Sequence, residues 1–177
     1  MRALRYAALG FAAGVVWGAV ARVFMRMLST SPEFSWSGTL FILGVGAVAG
    51  TCVGLVHAAR VGGRSRWWRI AGLPALLLFA GPGMVLLPAS VGMAAVLRGG
   101  PVARTLGAVL VAGSPLVVVL SDESLGVTTT QVFGLTLMVL SAAPLGWGIG
   151  EVVGRWQPRR DPARALAPLP TPVAEPV

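Results

Sequence analysis

Apolar residues run along this chain in five long blocks, near 6–28, 38–59, 70–97, 105–120 and 128–153, and short polar stretches between them hold most of the charge. About 20 apolar residues carry a helix across the hydrocarbon core of a bilayer. The blocks therefore predict an all-α fold, a polytopic transmembrane helix bundle. In three blocks glycine falls on every fourth position: Gly10, Gly14 and Gly18; Gly46, Gly50 and Gly54; Gly146, Gly150 and Gly154. That spacing lays each set along one helix face. In water each interior glycine would weaken a helix by about 1 kcal/mol relative to alanine. Among lipid tails as apolar as leucine, small residues instead let backbones approach and drive helix association. The stripes read as helix-packing faces.

The block at 70–97 is broken. Gly81, Pro82 and Gly83 lie near its middle, with Pro74 and Pro88 on either side. Proline removes a helical donor and glycine relaxes the backbone, which makes Gly81, Pro82 and Gly83 the candidate hinge. Arginine placement bears on the same point. If every block crossed once from an inside N-terminus, Arg22, Arg26, Arg98, Arg104 and the C-terminal arginines would all lie outside, against the positive-inside bias. If 70–97 enters and leaves on one side, only Arg22 and Arg26 remain outside. The expectation is four full spans plus a re-entrant hairpin or two short tilted helices, with both termini cytoplasmic. A single proline-kinked span is the alternative. A turn at membrane depth must be sheltered by protein or line a wet cavity.

Composition sharpens this picture. Of 177 residues 55% are hydrophobic and only 11% charged, and mean hydropathy is +0.80, well above a soluble domain of this length. The net charge of +8 is carried by arginine alone, since the chain has no lysine. A basic chain raises the question of nucleic acid. Here the arginines sit at the ends of apolar blocks, where they set topology and touch anionic lipid, so no nucleic-acid partner is expected. Cys52 is the only cysteine, which excludes an intramolecular disulfide and argues against a Cys-based metal site. Ala19-Val20-Ala21 has the form of a signal-peptide cleavage site. The glycine stripe continues in register to Arg22 and Arg26, however, so an uncleaved first span is expected. Residues 1–154 form the transmembrane domain in this reading, and 155–177, rich in arginine and proline, form a disordered cytoplasmic tail.

Few residues carry candidate chemistry. Arg22 and Arg26 prolong the first stripe and could snorkel to headgroups, bind an anion, or pair with Glu33 or the Asp122–Glu123 loop. Ser31-Pro32-Glu33 has the order of a helix cap, first-turn proline and first-turn acid, and Ser37 is a candidate cap for the second span. Trp67, Trp68 and Trp156 sit beside arginines and read as interfacial anchors. His57 is the only histidine, near the end of the second span. Glu151 lies four residues before Arg155, the spacing of a stabilising helix pair. An acid in a membrane helix can also bind a proton or cation, and His57 and Glu151 share one end of the bundle, where they could touch.

The stretch 22–39, RVFMRMLSTSPEFSWSGT, resembles a segment of small uncharacterised multi-pass membrane proteins of actinobacteria. The resemblance implies a bacterial inner-membrane protein and transfers no site residues. No zinc-protease, P-loop or nucleophile-elbow pattern occurs, so neither catalysis nor a cofactor is expected. Two functions stay open. The first is a structural or accessory subunit whose glycine faces pack on a membrane partner or a second copy. The alternative is a small-solute or ion transporter or channel with the broken block lining its path.

Overall fold

The computed structural model describes residues 1–29, 34–121, 128–154 and 156. These form α1 (Arg2–Leu28), α2 (Trp36–Val61), a 3₁₀ arm (Arg66–Phe79), a short 3₁₀ turn (Gly81–Leu86), α3 (Leu87–Arg98), α4 (Pro101–Ser121) and α5 (Thr129–Val153). No strand occurs among the described residues. Helices α1, α2, α4 and α5 are each long and apolar enough to cross a membrane. The protein is an all-helical, multi-pass membrane bundle.

Caps set the helix starts. Ser35, in extended conformation, accepts from the Gly38 amide at 3.2 Å and so opens α2. Ser37, the expected cap, lies inside the first turn and bonds the Ser35 hydroxyl at 2.7 Å. Thr128 and Gln131 close a reciprocal capping box at the start of α5. Glu33, Asp122, Glu123, Arg155 and 157–177 lie outside the described residues. With them go the expected short helix from Ser31, the acid partners of Arg22 and Arg26, the Glu151–Arg155 pair and the tail.

The first two glycine stripes meet each other. Helices α1 and α2 run antiparallel, with Gly10 against Gly50 and Gly54, and Gly14 against Gly46. A Cβ added to Gly50 would lie 2.9 Å from Gly14 Cα, closer than such atoms approach. The third stripe meets no other stripe and faces α3, largely through side chains. A Cβ on Gly146 would lie 2.7 Å from Met93 Cβ, and one on Gly150 would lie 2.6 Å from Arg98 Nε. Trp17 Nε1 donates to Ser141 O at 3.0 Å and ties α1 to α5.

The broken block is a hairpin. Its 3₁₀ arm contains Pro74, and the chain bends by 114° between its two limbs. Both limbs are fastened to the same end of α5: Arg69 Nη2 donates to Gly154 O at 2.6 Å, and the Arg98 guanidinium donates to Gly150 O. Phe79, before the turn, and Leu86, its last residue, pack with the core of Ala21, Phe24 and Met138. Phe24 lies about 6 Å from the far end of α1, at 1.5 Å per residue, so the hairpin reaches well past mid-bundle. Helix α4 packs mainly on α3, where Gly92 and Gly107 cross closely, and leaves Leu106, Val109, Leu116 and Leu120 exposed.

One end of the bundle therefore gathers Arg2, Arg5, Arg60, Arg64, Arg66, Arg69, Arg98 and Arg104, while Arg22 and Arg26 lie at the other. This arrangement makes a topology prediction. In a Cys52→Ser background, cysteines at the exposed positions Ser65 and Gly100 should react with an impermeant maleimide from the same side of the membrane. Ser35→Cys should react from the opposite side. Labelling of Ser65→Cys and Gly100→Cys from different sides would mean a single kinked span.

Candidate functional site

Glu151 lies in the last turn of α5 and is only 3% exposed. A buried carboxylate must be paired or lose its charge, and this one is paired by cations from two other helices. His57 and Arg60 are three residues apart on α2 and share one face, which the crossing of α2 and α5 turns toward Glu151. Both converge on Oε2, with His57 Nδ1 at 2.9 Å and Arg60 Nη1 at 3.0 Å. A carboxylate oxygen can only accept, so Nδ1 is the donor in this bond. Arg98 arrives from the end of α3 and donates to Oε1.

Missing side chains make room for Arg98. Its guanidinium fills the space a Cβ on Gly150 would claim, and one nitrogen lies 3.0 Å from the Cβ position of Gly154. There it caps the Gly150 carbonyl, while Arg69 caps that of Gly154. The Gly150 carbonyl also accepts from the Gly154 amide at 2.9 Å, and the partial negative charge at a helix C-terminus favours cations at both carbonyls. Arg69 also lies over the Trp156 ring at 5.6 Å, and Trp156 Nε1 donates to Arg64 O at 2.6 Å. Arg69 Nε is buried and has no hydrogen-bond partner among the described residues. One carboxylate thus answers several guanidinium groups, and the cluster carries surplus positive charge.

An apolar crevice of about 480 Å³ opens beside this cluster. Its walls are the α1–α2 glycine seam, the 3₁₀ arm through Leu73, Leu76 and Phe79, and α5 through Leu145 and Trp147. The same absence of side chains that lets α1 and α2 touch leaves a furrow along their seam. Between Gly46 and His57 it extends about 16 Å along α2. His57 and Tyr6 close its arginine-rich end, with rings 5.0 Å apart and edge-on, and Trp147 lies 5.5 Å from His57 on the other side. Leu76, on the crevice wall, is 61% exposed, so the crevice opens to the outside of the bundle.

The structure joins His57 to Glu151 and sets Arg22 and Arg26 apart from them. Arg22 Nε donates to Thr39 Oγ1 at 3.1 Å across the α1–α2 connection. Arg26 lies 5.8 Å from the Phe34 ring, which is itself edge-on to Trp36 at 5.0 Å. Sequence reasoning missed Arg60, Arg69 and Arg98 as partners of the α5 terminus. The signal was present in the arginine distribution, which places all three at the end shared by His57 and Glu151. Cys52 is half-buried on α2 and takes no part. No family model, curated protein or solved structure matches this chain.

Proposed function

We propose that this chain is a small carrier or solute-binding protein of a bacterial cytoplasmic membrane, with the arginine-rich end and both termini in the cytoplasm. The orientation follows from the positive-inside bias, given the arginines that share an end. The solute is an apolar or amphiphilic molecule. The observation that carries this reading is the crevice: pockets that hold small molecules run from about 300 to 1,000 Å³ and are mostly apolar with a few convergent polar groups. At 480 Å³, with His57 at one end, this crevice has that form. The hairpin that walls it is the broken segment a transport path calls for.

An accessory subunit packing through its glycine stripes has less support, because two of the stripes already face each other within the chain. Purification from native membranes in mild detergent, followed by native mass spectrometry, tests the choice. A monomer or homo-oligomer carrying a bound amphiphile is expected. Leu76→Trp, which fills the crevice from an exposed position, should remove that adduct and leave thermal stability nearly unchanged. A stoichiometric second protein, with no adduct, would overturn the carrier reading in favour of the accessory one.

A further inference from the structure

Taken as the binding site proposed for it, the crevice has a chemical polarity that narrows its occupant, and the identity of that occupant rests on the same reading. Its long walls are hydrocarbon, and its polar corner is His57. That ring shares Oε2 of Glu151 with Arg60, so a guanidinium stands next to this corner, just outside the crevice wall itself. The Arg60 side chain is 32% exposed and that of Arg98 28%, so both stay accessible while holding the carboxylate. Arg69 adds the buried Nε that no described residue satisfies. Among the described residues Glu151 is the only acid, and its charge is already spent on Arg60 and Arg98.

A cationic head at this corner would meet like charge, and a neutral head would leave the surplus uncompensated. Guanidinium forks offer paired, charge-assisted donors to carboxylate and phosphate alike, and phosphate, with its higher charge and three acceptor oxygens, can engage more than one fork at once. A free phosphate ion would leave the hydrocarbon walls empty. The furrow along the α1–α2 seam is a single groove about 16 Å long, room for one chain. We propose that the crevice receives a single-chain, phosphate-headed membrane lipid, its chain along the α1–α2 seam and its phosphate at Arg60, beside His57 and Arg69.

The full chain in phosphatidylcholine nanodiscs tests this, with fluorescence of Trp17 and Trp147 in the crevice wall as the reporter. The probes are dodecyl phosphate, dodecyltrimethylammonium and inorganic phosphate, each below its micelle concentration. Dodecyl phosphate should bind at least about tenfold more tightly than dodecyltrimethylammonium, and Arg60→Gln should bring the two within about threefold. Arg60→Lys keeps the charge without the fork and should fall between, which covers the case in which Arg60→Gln fails to fold. Equal affinity for the two amphiphiles would overturn the phosphate head and leave the crevice reading standing. Binding of neither would overturn both. Inorganic phosphate binding as tightly as dodecyl phosphate would overturn the chain in the crevice.

Discussion

Glu151→Ala should destabilise the protein by about 3 kcal/mol, read as a loss of thermal or denaturant resistance in mild detergent. Removing the carboxylate leaves Arg60 and Arg98 facing each other with no anion between them, and frees His57 Nδ1. The loss falls at the low end of the range for a broken buried pair because both arginines are about a third exposed and can be hydrated. Arg98→Gln should cost less, about 1–2 kcal/mol, since Arg60 and His57 remain on the carboxylate. The order of the two effects is the informative part. If Glu151→Ala proved as stable as the parent, the cluster would not hold the ends of α2, α3 and α5 together.

A second large effect is expected at the α1–α2 seam. In Gly50→Val the new Cβ would run into the Gly10 carbonyl oxygen and lie 2.9 Å from Gly14 Cα. Those atoms are backbone, so no rotamer change relieves the clash and the helices must part. A loss of about 3 kcal/mol is expected, at the upper end for overpacking. Gly44→Ala is the control on the same helix, where an added Cβ meets nothing within 4 Å. It should be neutral or stabilise by up to about 1 kcal/mol through helix propensity. Equal losses at both positions would show that the stripe is incidental to packing.

The spans were legible because a bilayer imposes one rule on them: about 20 apolar residues with every backbone group satisfied internally. The hairpin was legible from two independent signals, the Gly81-Pro82-Gly83 break and the arginine count on either side of it. Its 3₁₀ geometry was not, since nothing in Arg66–Phe79 beyond Pro74 marks a tighter helix. The glycine registers could be read from spacing, but not which stripe meets which. The third stripe has the same beat as the others, yet it accommodates Met93 and the Arg98 guanidinium. Local spacing likewise paired Glu151 with Arg155. The described partners are His57, Arg60 and Arg98, brought in by the tertiary crossing from 94, 91 and 53 residues away. The cap at Ser35 rather than Ser37 is a two-residue shift, because either serine could have taken the extended conformation a cap needs.

The hairpin also dictates an order of assembly. A chain is made from its N-terminus, so Arg60 and Arg98 are in place before the residue that neutralises them exists. Until α5 follows, the return limb has its neighbour α4 but neither the Glu151 carboxylate nor the Gly150 carbonyl to hold it. Helix α4, resting mainly on that limb, has little else to dock against. Helix α5 is thus the keystone: a nascent chain halted before it is an unlocked assembly, and its release closes the bundle.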